Sequence, residues 1–192
     1  MRYLVAMSTR AEKPLNVEEF LAWAEGREGS WELYDGVPVA MAAEKVLHAR
    51  VRAEAAFALT GAVRRAAVAC EAFMSGLAVP IRGDLAFVPD ALVFPLPSPP
   101  PEATTIPNPL IVVEVLSPST AAIDHGLKLE GYFSLPSLAH YLILDPDRRV
   151  VIHHRRAGEG AIETRILHEG ALTLDPPGLH LDVADLFGPP EA

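Results

Sequence analysis

The stretch "NPLIVVEVLSPST", residues 108–120, sets a single carboxylate, Glu114, inside an apolar run. An apolar run of this length, bounded by prolines, is typical of a strand that is buried on both faces in an α/β sheet. Because side chains alternate along a strand, Glu114 shares a face with Val112 and Leu116. An ionised carboxylate without a partner is too costly to bury. The stretch therefore predicts that Glu114 is paired with a cation, protonated or bound to a metal.

A second carboxylate, Asp90, stands in the apolar segment "LAFVPDALVF", residues 85–94. Pro89 directly before it suggests an edge position or a bulge, which can re-aim a side chain. Glu114 lies near the carboxyl end of its strand, where open α/β sheets place ligands. Two strand carboxylates that converge on adjacent strands form the kind of oxygen site that Mg²⁺ or Mn²⁺ binds.

The segment that follows the Glu114 strand contains a lysine in a chain that has only three, against 13 arginines. In "DHGLKLEGY", residues 124–132, Asp124, Lys128 and Tyr132 are spaced to share one face of a helix. An ammonium group can orient water or stabilise charge that develops at a phosphate. The alternative is an ordinary surface ion pair between Asp124 and Lys128.

The rest of the chain alternates helical and strand patterns around turn signals. Helices are predicted at residues 16–29, which open with the capping box of Asn16 and Glu19, at 44–68 and at 120–135. A hairpin turns at Asp35-Gly36, and a second joins "VVIHHRR" to "AIETRILHE". The proline-rich residues 95–109 predict a surface connection between two strands. This order predicts one mixed α/β domain over residues 1–192, with a central sheet flanked by helices.

Composition restricts the possible functions. The net charge is −9 and the pI is about 5.2, which argues against binding through broad phosphate neutralisation but leaves room for a locally basic cleft. The amino-terminal segment has no signal-peptide pattern, and the single cysteine, Cys70, fits a buried apolar residue, so a cytoplasmic location is expected. The 18 prolines, two asparagines and absent glutamine fit a thermophilic source, although GC-rich coding would produce the same bias.

Four segments together resemble the motif series of the Uma-type putative restriction endonuclease family, within the PD-(D/E)xK nuclease-like superfamily. They are "WELYDG", "VPDALVF", "LIVVEVLSPST" and the Asp124–Lys128–Tyr132 spacing followed by "HYLILDP". The resemblance runs from about Glu32 to Pro146 and implies a restriction-endonuclease-like α/β core.

The resemblance also implies which residues form a site. Asp90 corresponds to the aspartate of the PD motif, Glu114 to the acid of the following strand, and Glu32 to the glutamate before the hairpin. In the simplest pattern of the superfamily a lysine follows the acid by two residues, and that position here is Leu116. Lys128 matches the lysine that this family carries on the next helix.

The expected function is therefore a metal-dependent endonuclease that hydrolyses phosphodiester bonds of nucleic acid, with DNA as the expected substrate. Asp90, Glu114 and the main-chain carbonyl of Val115 would bind Mg²⁺ or Mn²⁺, and Lys128 and Glu32 would complete the catalytic set. A homo-oligomer, a dimer or higher, is expected. The alternative is an inactive nuclease-fold protein that serves as an oligomeric binding or scaffold module.

Three histidines and one aspartate are weaker candidates outside this set. His48 follows Glu44 by four residues on the long helix, and a surface histidine or one satisfied by its neighbours is favoured over one that faces the site. His153 and His154 are interpreted as part of a solvated hairpin, and Asp145 as a turn residue. No motif of nucleotide kinases, dehydrogenases, serine hydrolases or zinc proteins occurs.

Overall fold

The structure is a computed structural model that describes residues 13–74, 76–117 and 124–189. These residues form three α-helices and twelve strands. In chain order they are α1 (Val17–Ala24), β1 (Trp31–Tyr34), β2 (Val37–Ala40), α2 (Val46–Ala66), β3 (Cys70–Met74), β4 (Val79–Arg82), β5 (Leu85–Phe87), β6 (Ala91–Pro95), β7 (Ile111–Val115), α3 (Leu129–Ser134), β8 (His140–Asp145), β9 (Val150–Arg156), β10 (Ile162–Leu167), β11 (Ala171–Leu174) and β12 (Leu179–Asp182).

The larger sheet has six strands in the order β10-β9-β8-β7-β6-β3. The strand of Glu114, β7, is central: it pairs in parallel with β8 and antiparallel with β6, and all five of its residues are buried. A strand with neighbours on both sides and cover on both faces has to be apolar along its whole length. The predicted mixed α/β fold with a central sheet is confirmed.

Each face of this sheet has its own core. Ile111, Val113 and Val115 pack beneath α2 and the β11–β12 hairpin. Val112 faces the other side, where it packs with residues of α3 and of the smaller sheet, among them Tyr132 and Phe87. The predicted alternation along β7 is therefore confirmed, and Glu114 is the one charged side chain that β7 sends into the second core.

The smaller sheet has four strands in the order β2-β1-β5-β4, and it includes the predicted hairpin at Asp35-Gly36. The chain leaves this sheet after Phe87 and enters the larger one at Ala91, with Pro89 between the two. Because β6 pairs with β3 on one side and β7 on the other, the edge position predicted from Pro89 is wrong. The proline instead marks the passage from one sheet to the other, and it delivers Asp90 to the boundary.

The helices follow the predictions with shifted ends. The capping box at Asn16 is present, but α1 ends at Ala24, and α2 runs without interruption through Gly61 from Val46 to Ala66. Of the helix predicted at 120–135, residues 120–123 lie outside the described residues. The remainder is a π-helical turn, Asp124–Lys128, followed directly by α3. Within the described residues, no helix is long and apolar enough to cross a membrane.

Candidate metal and nuclease site

Glu114 is held by a buried lysine and a buried tyrosine. Its Oε1 accepts hydrogen bonds from the ammonium of Lys128 at 2.9 Å and from the hydroxyl of Tyr132 at 2.8 Å. Glu114 is 3% exposed and Lys128 only 1%, so the alternative of a surface ion pair at Lys128 is wrong. The π-helical turn ends at Lys128, and widened turns of this kind are frequent at functional sites.

Lys128 also joins Glu114 to a second carboxylate on the smaller sheet. Oε1 of Glu32 lies 3.0 Å from the ammonium and accepts the backbone N–H of Val88 at 2.8 Å. The hydroxyl of Tyr34 donates to Oε2 of Glu32 at 2.6 Å. Both sheets therefore contribute an acid to one lysine, and Glu32, Glu114 and Lys128 lie together as the resemblance implies.

The two tyrosines of this network are fixed as hydrogen-bond donors. Burial raises the pKa of Tyr34 and of Tyr132, and the nearby carboxylates Glu32 and Glu114 raise both further, since a phenolate beside a carboxylate is repelled. Each hydroxyl therefore keeps its proton and donates a hydrogen bond, Tyr34 to Glu32 and Tyr132 to Glu114.

Asp90 lies next to this network at the start of β6. Its Oδ2 accepts the backbone N–H of Val115 at 2.7 Å, which ties the carboxylate to the end of β7. Burial raises the pKa of Asp90, and the neighbouring His48 and the N–H of Val115 oppose that rise. A nearby cation would therefore favour the ionised form of this carboxyl group.

His48 reaches the same point from α2. Its Nε2 lies 2.9 Å from the carbonyl oxygen of Val115 and 3.6 Å from Oδ2 of Asp90, and its Nδ1 lies 2.8 Å from Oε1 of Glu44. Arg52, one turn further along α2, binds the other oxygen of Glu44 at 2.9 Å. His48 is therefore not a free surface residue: both ring nitrogens have polar partners, as expected of a satisfied histidine, and the ring also lies beside Asp90.

A cavity of about 590 Å³ opens on this cluster. Glu44, His48, Arg52 and Asp90 are among the residues that line it, together with Pro146 and Asp147 from the turn after β8. Neither Glu114 nor Lys128 lines the cavity. Asp90 is thus the residue at which the buried carboxylate network meets the open space.

Glu44, His48 and Asp90 can approach a single ion, since one ligand atom from each lies within 4.8 Å of the others. Glu44 has no role predicted from the sequence; it lies just before α2, four residues from His48, and contacts that ring. A contact between α2 and the carbonyl of Val115 spans 67 residues of sequence and leaves no local pattern. Only the three-dimensional structure reveals it.

Comparison with known proteins identifies the family. The sequence pattern that defines Uma2, described as "Putative restriction endonuclease", matches residues 17–184. The chain belongs to the Uma2 family. An uncharacterised protein from Synechocystis sp. (strain ATCC 27184 / PCC 6803 / Kazusa) is 34% identical over 147 residues, which cover 73% of this chain and 74% of that protein.

A solved structure places this Uma2 chain in a known fold. The crystal structure of a putative nuclease that belongs to DUF820, from Anabaena variabilis ATCC 29413, superposes with a TM-score of 0.71 at 22% sequence identity. The match covers 91% of this chain and 98% of the other. The arrangement of sheets and helices is therefore that of a nuclease-like fold.

His153 and His154 are buried, whereas the sequence predicted a solvated hairpin. His153 and His154 are 2% and 6% exposed, so the solvated-hairpin interpretation is wrong. Nδ1 of His140 lies 2.9 Å from Nε2 of His153, and Nε2 of His140 lies 3.1 Å from the carbonyl oxygen of Pro176. His140 and His153 thus join β8 and β9 to the turn before β12, and neither belongs to the group of Glu44, His48 and Asp90. Asp145 is a turn residue and Cys70 is buried, as predicted.

Proposed function

We propose that this Uma2 protein is a metal-dependent endonuclease that hydrolyses phosphodiester bonds of nucleic acid, with DNA as the expected substrate. The observation that carries the proposal is the buried pair of Glu114 and Lys128, with Asp90 bound to the N–H of the adjacent Val115 and lining the cavity. Membership of the Uma2 family and the nuclease-like fold support the same activity.

The residues present fit a divalent cation. The carbonyl oxygen of Val115 and Oδ2 of Asp90 lie 2.9 Å and 3.6 Å from Nε2 of His48. Oxygen and imidazole donors together suit Mn²⁺, and the oxygens alone suit Mg²⁺. When Nδ1 of His48 donates its proton to Glu44, the lone pair of Nε2 is available to a metal, and the carboxylate fixes the ring. We propose Asp90, Glu114 and Val115 as the metal-binding set, with His48 as an additional ligand.

The charges around the cluster support this assignment. Among the contacts described above, four carboxylates (Glu32, Glu44, Asp90 and Glu114) are balanced by only two permanent cations, Lys128 and Arg52. An excess of negative charge in a region of low dielectric attracts a cation strongly. A divalent ion bound there would polarise a phosphoryl oxygen and supply a water molecule of lowered pKa.

The protein's own groups would hold the reacting atoms. Glu32 and Glu114 keep the ammonium of Lys128 in place from two sides, and its positive charge would orient the attacking water or offset charge on the phosphate. Lys45 and Arg52 line the cavity beside the amino-terminal end of α2, where backbone N–H groups favour an anion. The cavity thus has mixed charge, and a phosphate group fits it better than it would fit a wholly acidic cleft.

Calorimetric titration of Mn²⁺, followed by cleavage assays on DNA and RNA with Mg²⁺ or Mn²⁺, tests the proposal. We expect the wild type to bind and cleave, Asp90→Asn and Glu114→Gln to lose at least 100-fold in cleavage, and Asp147→Asn, which changes a lining carboxylate outside the cluster, to stay within a few-fold. Equal cleavage by wild type and Glu114→Gln would refute the catalytic assignment.

The closed pairing of Glu114 with Lys128 favours one alternative, a nuclease fold kept as a binding or scaffold module. A carboxylate that is already neutralised by protein has less need of a metal. The titration is therefore repeated with an oligonucleotide present, so that a site completed by substrate phosphate is also detected. No binding at millimolar Mn²⁺ in either titration, and no cleavage, would establish this alternative over the nuclease.

A further inference from the structure

The last strand of the larger sheet, β10, has an open edge. It pairs with β9 on one side, and the sheet order places no described strand on its other side. All of residues 162–166 are exposed, including two isoleucines, Ile162 at 39% and Ile166 at 64%. Natural proteins rarely leave an exposed edge with large apolar side chains, because such an edge pairs readily with another strand.

The sequence of β10 is symmetric in chemical character about Thr164. It reads Ile162, Glu163, Thr164, Arg165 and Ile166: apolar, acidic, polar, basic, apolar. If a second copy of β10 runs antiparallel with Thr164 opposite Thr164, each isoleucine faces the isoleucine at the other end of the partner strand. Glu163 then faces Arg165 of the partner, and this pairing occurs twice.

Among Glu163, Thr164 and Arg165, only a two-fold axis at Thr164 places opposite charges across from each other. Centring the axis on Glu163 or on Arg165 brings two like charges directly opposite each other, which destabilises a strand pair. Arg155 of β9 strengthens the favoured register, because it already binds Glu163 at 2.6 Å and lies opposite it in the sheet. In the pairing centred on Thr164, each glutamate is held between Arg155 of its own chain and Arg165 of the partner.

The opposite edge of the same sheet lacks these properties. The strand there, β3, carries one charged residue, Glu71, so self-pairing offers no exchange of opposite charges. One of its aromatic side chains, Phe73, packs against Phe94 within the same chain. Charge complementarity therefore singles out β10 as the edge that fits a second copy of this chain.

We propose that two copies of the protein associate through antiparallel pairing of their β10 strands, centred on Thr164, to form one continuous twelve-stranded sheet. The two-fold axis is perpendicular to the sheet, so Ile162, Thr164 and Ile166 of both chains share one face and the charged pairs share the other. The contact is short, and association is therefore weak and concentration-dependent. This inference does not depend on the proposed nuclease activity.

Sedimentation equilibrium of the full chain, over a concentration range from about 1 to several hundred micromolar, tests this interface. We expect a monomer–dimer equilibrium for the wild type. Arg165→Glu places two glutamates opposite two others and should raise the dimer dissociation constant about tenfold or more, and Glu163→Arg should do the same with arginines. The double variant Glu163→Arg/Arg165→Glu exchanges the charges and should restore association to within about threefold.

Arg148→Glu serves as the matched control, since it makes the same change at an exposed arginine in the turn between β8 and β9. Its dimerisation should equal that of the wild type. Circular dichroism confirms that each variant is folded, which is expected because residues 163 and 165 are exposed. A wild type that stays monomeric over the whole range, single reversals that leave the equilibrium unchanged, or a folded double variant that fails to recover would each overturn the proposal.

Discussion

Lys128 is the residue on which the buried network depends. Its ammonium lies 2.9 Å from Glu114 and 3.0 Å from Glu32, and it approaches the ring of Phe87 at 5.7 Å. Two carboxylates that are this deeply buried remain charged only while a cation lies between them. A role in stability therefore accompanies any role in catalysis.

Replacing Lys128 with methionine should lower the free energy of unfolding by about 3–5 kcal/mol, because two buried carboxylates lose their cation. Urea denaturation at pH 7 measures the loss. Lys13→Met is the control, since Lys13 forms an exposed pair with Glu19 and should cost no more than about 1 kcal/mol. Similar losses in the two variants would show that Lys128 does not sustain the buried charges.

At this scale the sequence identifies residues better than it identifies their contacts. Glu114 and Asp90 can be identified from the sequence because a charged residue in an apolar segment requires a partner. Lys128 can be identified because the chain contains few lysines. The contacts of His48 could not be predicted, because a spacing of four residues describes only the local chain. What decides the environment of His48 is the distant carbonyl of Val115.

At the scale of elements, α3 lies unusually close to β5. A Cβ atom added at Gly131 would lie 2.7 Å from the ring of Phe87, well inside van der Waals contact. This close approach brings Lys128 and Tyr132, on either side of the glycine in sequence, within reach of Glu114.

Gly131→Ala should therefore lower the free energy of unfolding by about 1–3 kcal/mol, because Phe87 is fully buried and cannot move aside without disturbing its neighbours. Gly126→Ala is the matched control in the preceding turn, where an added Cβ meets nothing within 4 Å, and it should change stability by less than about 1 kcal/mol. Thermal or urea unfolding compares the two variants. An unchanged free energy of unfolding in Gly131→Ala would mean that α3 can shift away from β5.

The buried histidines of β8 and β9 make stability depend on pH. Burial lowers the pKa of His140 to about 4 and that of His153 to about 3, and His140 contributes further to the lowering at His153. Both rings are therefore neutral in the folded protein under conditions in which an unfolded chain, with an ordinary histidine pKa near 6.5, takes up protons. The stability that the two neutral rings contribute is therefore complete above pH 6.5 and is lost as the pH falls towards 3.

We expect the free energy of unfolding to fall by roughly 1 kcal/mol per pH unit per histidine between pH 6 and pH 4.5. The double variant His140→Phe/His153→Leu should show a shallower dependence over that range, whatever its stability at pH 7. Urea denaturation at several pH values gives both slopes. Identical slopes would place the acid sensitivity in the carboxylates instead.

Element boundaries were harder to predict than element types. Proline and charge together indicated that the segment around Asp90 was special, but an edge strand and a passage between two sheets have the same local signature. The helical spacing around Lys128 indicated the correct face, although the backbone there is a π turn and not an α-helix. Which of these forms occurs depends on packing against the sheet, and the sequence does not display that packing.

At the scale of the whole molecule, the net charge of −9 limits how the protein could bind nucleic acid. General attraction to nucleic acid is weak for such a protein, so the proposed substrate would have to be recognised locally, by the proposed metal and a few cations. The fold class could be predicted because the pattern of apolar and polar residues along the chain distinguishes buried strands from helices. The division into two sheets could not be predicted, because it depends on contacts between residues that are distant in sequence.

Binding of a metal at the cluster should stabilise the entire fold. At a free Mn²⁺ concentration about 100 times the dissociation constant, the free energy of unfolding should rise by about 2.7 kcal/mol, since the unfolded chain lacks the assembled ligands. Urea denaturation with and without Mn²⁺ measures the rise. Asp90→Asn should abolish it and EDTA should reverse it, whereas equal stabilisation of wild type and Asp90→Asn would place the ion elsewhere.

Two backbone N–H groups of the site donate to side chains and not to neighbouring strands. Val88 donates to Glu32 and Val115 donates to Asp90, so each is protected from solvent only while its carboxylate is in place. Their rates of hydrogen–deuterium exchange therefore report how often the two sheets separate at this boundary. Slow exchange, shared by both amides, would mean that the acids are assembled before any metal or substrate arrives, and the chain would bind its ligands without first having to reorganise.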